Sequence, residues 1–148
     1  MFSRLDDGID LLKVNDRDLI DNHVHERTIS SRLAMYLQGL FPTYHVDVEY
    51  NRNEILQKIL PRECHGTRQG GVFPDIIVHR RGSNEENLLV IEMKKAGNEA
   101  GIDCDKEKVR LFIKGDFHYR FGALIVLGNG KRNYEEVAVN RFDSASFD

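Results

Sequence analysis

Three charged residues lie at the ends of two apolar segments in the middle of the chain. Asp75 opens the apolar segment 76–78, and a second apolar run ends in Glu92, Met93 and Lys94. Because strand side chains alternate between faces, Glu92 and Lys94 would share one face and Met93 would point to the other. Two carboxylates and an ammonium group are costly to bury in a core. They are suited to holding a metal ion and activating a water molecule.

A fourth carboxylate, Glu26, lies within the apolar stripe of a predicted helix. The apolar stripe of this helix is read from about residue 22 onward, and Pro42 stops the helix because proline cannot continue it. Its apolar residues recur at helical spacing, at Ile29, Leu33, Tyr36, Leu37 and Leu40. At about 100° per residue, Glu26 points to the same side as this stripe. A carboxylate placed there is paired, binds a metal or lies in water at the end of the stripe, and the sequence leaves these alternatives open.

Hydrophobic periodicity predicts the other elements that position these residues. After the first helix we expect strands over 44–50, 72–79 and 88–94, a helix over 103–114, a strand over 122–127 and an edge strand over 135–142. Residues 51–72 contain Pro61 and three glycines and are predicted to form an exposed loop. The predicted fold class is α/β, with a core in the order α-β-β-β-α-β and a mixed sheet of four or five strands flanked by helices.

The connections between the predicted strands set their directions. The turn at 81–84 is short, so strands 72–79 and 88–94 should form an antiparallel hairpin. The helix between strands 88–94 and 122–127 predicts a right-handed parallel crossover.

Two local patterns give finer predictions. Asn15 and Asp18 resemble a helix-capping pair, so a helix should begin there. Strand alternation over 44–50 predicts that Tyr44, Val46, Val48 and Tyr50 share one face.

Length and composition favour one domain spanning residues 1–148. The hydrophobic fraction of 41% and the charged fraction of 30% are those of an ordinary soluble globular protein. No apolar run approaches the roughly 18 residues of a transmembrane helix, and residues 1–7 lack a secretory signal pattern. Cys64 and Cys104 lack a metal-binding spacing. We therefore expect free thiols in a reducing cytosol, which means a cytoplasmic protein.

The charge distribution bears on nucleic-acid binding. The net charge of −3 gives no overall argument for it, but residues 51–81 carry an excess of three positive charges around the candidate site. Such an excess suits a phosphate backbone, and it is equally compatible with ordinary surface charge. The candidate phosphate contacts are Arg52, Arg68, Lys106 and Arg110.

The order of these motifs resembles the PD-(D/E)XK nuclease superfamily, which has the restriction-endonuclease-like fold. The resemblance is carried by the helix residue Glu26, by Pro74-Asp75 and by Glu92-x-Lys94. It is closer to small stand-alone bacterial and phage members, in which the blocks His25–Arg27, Arg32–Ala34, Asp47–Arg52 and Phe73–Gly82 recur in this order. It covers about residues 16–127.

The resemblance implies a role for each site residue. Asp75 and Glu92 would bind Mg²⁺, which Mn²⁺ can replace, and the backbone carbonyl of Met93 would complete the ligand set. Glu26 would bind the metal through water or create a second site. Lys94 would orient the attacking water and help to deprotonate it. The implied reaction is hydrolysis of a phosphodiester bond, with DNA as the expected substrate.

Two other functions stay open at this point. The chain could be a nucleic-acid-binding or assembly module that keeps the fold and does not cut, since its net charge is modest and it has no separate DNA-reading domain. It could also act on RNA or on another phosphate ester. An enzyme that cuts both DNA strands needs two sites, so a homodimer is expected. No membrane partner is expected.

Overall fold

The computed structural model of the protein describes residues 1–22, 24–50, 64, 73–97, 99–128 and 137–148. The described elements are helices α1 (Phe2–Asn15), α2 (Arg17–Asp21) and α3 (Glu26–Leu40), strands β1 (His45–Val48), β2 (Ile76–His79) and β3 (Leu89–Lys95), helix α4 (Glu99–Lys114), strands β4 (Phe121–Leu127) and β5 (Val137–Asp143), and a terminal 3-10 helix (Ser144–Phe147). Among the described helices, none is long and apolar enough to cross a membrane.

One mixed sheet contains all five described strands, in the order β1-β2-β3-β4-β5. Neighbouring strands are antiparallel except for β3 and β4, which are parallel and joined through α4. The predicted hairpin, the parallel crossover and the last edge strand are therefore confirmed. The predicted α/β class, with a mixed sheet flanked by helices, is confirmed as well.

Helices α1 and α3 cover one face of the sheet. The predicted stripe of α3 is buried there through Ile29, Leu33 and Leu37. Helix α1 adds Leu5, Ile9 and Leu12 to the same core, which receives Ile76, Val78, Leu89, Ile91 and Met93 from the sheet. Met93 therefore points to this face, as alternation along its strand predicts.

Helix α4 covers the opposite face. Its residues Val109, Phe112 and Ile113 pack with Ile77 of β2 and Val90 of β3 in a second core cluster. By alternation, Asp75, Glu92 and Lys94 face this side. The charged residues of the candidate site therefore lie between the sheet and α4.

The N-terminal helices differ from the sequence prediction. Helix α1 was not predicted, and the proposed Asn15–Asp18 capping pair is wrong. Asn15 is the last residue of α1, and its side-chain amide donates to the carbonyl of Leu11 at 3.0 Å. Asp16 is the residue that precedes α2. The prediction failed because a short polar side chain near a helix boundary can hydrogen-bond to the backbone at the end of one helix as well as at the start of the next.

Strand β1 is shorter than predicted and its alternation ends early. Glu49 has a φ of 47°, in the left-handed region, so the chain turns out of the extended conformation there. Tyr44 and Val46 pack against the core under α1 and α3, whereas Tyr50 packs against the cluster under α4. The prediction that Tyr50 shares a face with Tyr44 and Val46 is therefore wrong.

The expectation of two free thiols is also wrong. Cys64 and Cys104 form a disulfide across a sequence separation of 40 residues. Cys104 lies in α4, so the bond attaches Cys64 to the helix over the candidate site. Spacing alone could not reveal this pairing, because a disulfide depends on the distance between the two Cα atoms in the folded chain. The cytoplasmic assignment loses the support that free thiols gave it.

We expect that replacing Cys104 with serine lowers the free energy of unfolding by about 2–4 kcal/mol. The crosslink closes a long loop and so reduces the conformational entropy of the unfolded chain. Urea unfolding of wild type and Cys104→Ser, each with and without a dithiol reductant, measures the effect. The reductant should lower the stability of the wild type alone. An unchanged wild type in reductant, with complete thiol release, would contradict the prediction.

Candidate active site between the sheet and helix α4

Glu92 is the most deeply buried charged residue of the candidate site. Strand β3 places it under α4 with 1% of its surface exposed. Its Oε2 accepts a hydrogen bond from Nζ of Lys108 at 2.9 Å. Its Oε1 is buried and has no hydrogen-bond partner among the described residues. One of the two carboxylate oxygens is thus left for a proton or a further cation.

Asp75 lies one residue before β2, next to Glu92 on the neighbouring strand. The paired residues Ile76 and Ile91 fix this register. The Oδ2 atom of Asp75 accepts a hydrogen bond from the backbone N–H of Met93 at 2.7 Å. This bond holds one oxygen of Asp75 at the end of β3, beside Glu92.

Lys94 does not contact the two carboxylates directly. Its Nζ lies 3.3 Å from Oδ2 of Asp105 in α4. The Oδ1 of Asp105 lies 3.4 Å from Nζ of Lys108, which also binds Glu92. The four side chains therefore form a continuous series of ion pairs, Glu92–Lys108–Asp105–Lys94, which we call the ion chain. It connects the strand end to α4 and fixes the position of the Lys94 ammonium group.

Glu26 is the first residue of α3 and is half-buried. Its Oε1 accepts a hydrogen bond from the backbone N–H of Lys95 at 3.2 Å. The carboxylate thus attaches the beginning of α3 to the end of β3, where it also suits the positive end of the helix dipole. The negative charge of Glu26 lies close enough to Asp75 to raise the pKa of Asp75. Of the alternatives that the sequence left open, a hydrogen-bonded carboxylate is the one observed, and Glu26 is also partly exposed.

Burial and crowding of like charges determine the protonation of the two central carboxylates. Burial raises the pKa of Asp75 above its ordinary value, the Met93 N–H and Lys108 lower it, and Asp105 and Glu26 raise it again. Burial raises the pKa of Glu92 well above its ordinary value, although Lys108 opposes the shift. Additional positive charge would therefore stabilise the ionised forms of both carboxylates.

The surroundings of Lys108 favour its charged form, whereas those of the two carboxylates disfavour theirs. Burial disfavours its ammonium form, but Glu92 and Asp105 more than offset this and raise the pKa above the ordinary lysine value. Lys108 is therefore a fixed positive charge inside the site.

Sequence reasoning missed Asp105 and Lys108, both on α4. A usable signal was present: Asp105 precedes the buried Val109 by four residues and Lys108 precedes Phe112 by four, so each shares the buried side of the helix. Charged residues on an apolar stripe are either paired or functional. The same argument holds for Glu26 on the stripe of α3.

The predicted phosphate contacts on α4 engage other partners. Nζ of Lys106 lies 5.8 Å from the ring centroid of Phe142. The guanidinium of Arg110 binds Glu107, with Nε 3.0 Å and 2.9 Å from its two carboxylate oxygens. The other two predicted contacts, Arg52 and Arg68, lie outside the described residues.

The donor set can be compared with the needs of Mg²⁺. Within the described ranges, no three acidic, histidine or cysteine side chains are grouped so that they could hold a metal ion. Mg²⁺ keeps several waters and is commonly bound through only one or two carboxylates. Asp75 and Glu92 fit that mode, because both offer hard oxygen donors and the buried Oε1 of Glu92 has no described hydrogen-bond partner.

A second polar cluster lies on the same face, towards the outer edge of the sheet. Nε2 of the fully buried His79 lies 2.7 Å from Oδ2 of Asp47, and Nε of Arg81 donates to the same oxygen at 2.9 Å. Arg27 binds Glu49 through both of its carboxylate oxygens. Asp47 and Glu49 are therefore structural salt-bridge partners.

The Asp47 cluster gives stability a defined pH dependence. Hydrogen bonds from Arg81, helped by His79, lower the pKa of Asp47 below the ordinary value of 3.8, against the effect of burial. The stabilisation should be complete above pH 3.8 and should be lost as the pH falls through the lower folded-state pKa. We expect the difference in free energy of unfolding between wild type and Asp47→Asn to shrink in acid.

Urea unfolding from neutral pH down to about pH 3 measures this difference. Asp10→Asn, at an exposed position of α1, is the matched control and should track the wild type at every pH. A difference that grows towards acid would contradict the assigned role of Asp47.

Comparison of the chain with protein-family models, with curated proteins and with solved structures found no match in any of the three.

Proposed function

We propose that this protein is a Mg²⁺-dependent nuclease of the PD-(D/E)XK type that hydrolyses phosphodiester bonds in DNA. The observation that carries the proposal is the placement of Asp75 and Glu92 on neighbouring strands, with Lys94 on the same face two residues beyond Glu92. The element order supports it, since α3, β1, β2, β3, α4 and β4 follow one another as α-β-β-β-α-β.

Each residue has a chemical task in this proposal. Asp75 and Glu92 would hold the ion, with Glu26 and the Met93 carbonyl beside them. When bound, Mg²⁺ supplies a Lewis acid that polarises the phosphate and lowers the pKa of water. Lys94, held by the ion chain, donates hydrogen bonds that orient the attacking water and neutralise charge on a phosphate oxygen.

The wider assignments are part of the same proposal. Arg52, Arg68, Lys106 and Arg110 would contact the phosphate backbone, and the chain would act as a single-domain homodimer in the cytoplasm. The +3 excess over residues 51–81 supports a polyanionic substrate. The disulfide does not support a cytoplasmic location, since disulfides are rare in that compartment.

A cleavage assay tests the activity. Supercoiled plasmid and single-stranded DNA are incubated with the purified protein in Mg²⁺, in Mn²⁺ and in EDTA. We expect strand cleavage with either metal and none in EDTA. Equal cleavage in EDTA would contradict a metal-dependent mechanism, and cleavage of RNA or of a simple phosphate ester in place of DNA would move the assignment to that substrate.

The second candidate is a nucleic-acid-binding or assembly module that does not cut. It is favoured by the ammonium group of Lys108, which already occupies one oxygen of Glu92. Two results together would select it: DNA binding that is independent of metal and unchanged in Glu92→Gln, and no cleavage of any substrate.

A further inference from the structure

Lys108 places a positive charge in direct contact with the buried carboxylate of Glu92. Its Nζ lies 2.9 Å from Oε2 of Glu92 and 3.4 Å from Oδ1 of Asp105. The side chain is only 14% exposed, so water screens its charge poorly. The ammonium group is delivered from α4, a separate element from the strands that carry Glu92 and Asp75.

The charge contacts around Lys108, taken over the described part of the chain, do not balance. The interacting groups are the carboxylates Glu26, Asp75, Glu92 and Asp105 and the ammonium groups Lys94 and Lys108. Four carboxylates against two ammonium groups leave an excess of two negative charges when all are ionised. Part of this excess lies on the buried Oε1 of Glu92, for which no described residue provides a hydrogen-bond partner.

We propose that Lys108 is an internal counter-cation of the candidate metal site, which competes with a divalent ion for Glu92. In the metal-free protein its ammonium group stabilises the buried Glu92 carboxylate. A divalent ion held by Asp75 and Glu92 would compete with Lys108 for the negative charge of Glu92, and Lys108 would keep its contact with Asp105. This inference rests on the proposed metal site and adds how that site stays folded without its metal.

A lysine is suited to this exchange. Its ammonium is a point charge on a flexible four-carbon stem, so it can leave one carboxylate while remaining bonded to another. Asp105 offers the second carboxylate, and it lies three residues earlier on the same helix. Lys108 is therefore a positioning residue that acts on the reaction through Glu92 and, by way of Asp105, through Lys94.

The test measures metal affinity and thermal stability and does not depend on cleavage. Lys108→Met removes the charge and keeps an unbranched apolar side chain, and Lys108→Gln keeps a hydrogen-bond donor should the first variant fold poorly. The control is Lys114→Met. Lys114 lies on the same helix as Lys108, but it is exposed and pairs with Asp148 at the surface. Mn²⁺ binding is followed by electron paramagnetic resonance, and the melting temperature is recorded in EDTA and in Mg²⁺.

We expect Lys108→Met and Lys108→Gln to bind Mn²⁺ about tenfold more tightly than wild type, because a competing positive charge is gone. Both should melt at a lower temperature in EDTA, and Mg²⁺ should restore more of the loss than it adds to the wild type. Lys114→Met should bind Mn²⁺ as the wild type does.

Different failures have different meanings. The counter-cation role is overturned if the wild type binds Mn²⁺ and both Lys108 variants bind it no more tightly, with the same loss of melting temperature in EDTA and in Mg²⁺. The nuclease proposal would still stand in that case. Absence of Mn²⁺ binding in the wild type and in both variants overturns the metal site itself, and this inference with it.

Discussion

Asp75→Asn should lower the rate of DNA cleavage by at least about 100-fold, because removal of one group that stabilises developing charge commonly costs that much. Asparagine retains an oxygen that can accept the hydrogen bond from the Met93 N–H, which Asp75 accepts at 2.7 Å. The substitution therefore removes the negative charge and keeps the local fold. Single-turnover cleavage in saturating Mg²⁺ measures the loss.

Lys94→Gln provides the parallel test for the ammonium group. It should reduce the cleavage rate by a similar factor while leaving Mn²⁺ binding in place, because Lys94 contacts Asp105 and not the two central carboxylates. Asp10→Asn, at an exposed position of α1, is the matched control and should cleave as the wild type does. Cleavage that survives in both Asp75→Asn and Lys94→Gln would refute the assignment of this site.

The second large effect concerns the Glu92–Lys108 pair. Lys108→Met in EDTA should lower the free energy of unfolding by about 3–5 kcal/mol, because it leaves a buried carboxylate without its partner. Glu92→Met should be costly for the corresponding reason. The double substitution should be less destabilised than either single one, because replacing a whole buried pair with apolar groups of similar size is often neutral.

A double-mutant cycle in urea measures the coupling between the two residues. The four proteins are compared in EDTA and at one pH, so that neither bound metal nor the pH of the solution differs between them. The 2.9 Å contact between Nζ and Oε2 predicts a strongly favourable coupling term. Costs that simply add would show that Glu92 and Lys108 contribute independently.

The sheet could be predicted well from the sequence because strands and turns are encoded by local residue patterns. The hairpin of β2 and β3 needs only two apolar runs and a turn, and Gly82 has the φ of 84° that glycine tolerates in that turn. Alternation correctly separated Met93 from Glu92 and Lys94. The prediction failed at Tyr50, because the left-handed conformation of Glu49 is a single-residue event with no periodic signal.

The long-range partners could not be obtained in the same way. Helix α4 returns the chain across the sheet between β3 and β4, and this crossover brings Asp105 and Lys108 onto Glu92 and Lys94. Periodicity states which side of a helix is buried, but not which residue of another element it meets. The disulfide between Cys64 and Cys104 is a contact of the same kind.

The types and alternation of residues along the chain thus determined that Glu92 and Lys94 would share one face, since the side-chain direction in a strand is a local property of the backbone. Only the tertiary structure decided which charges meet. It assigned Lys108 to Glu92, Asp105 to Lys94 and the Lys95 N–H to Glu26. The physical reason is that electrostatic interactions depend on distance and burial in the folded protein, and packing sets both.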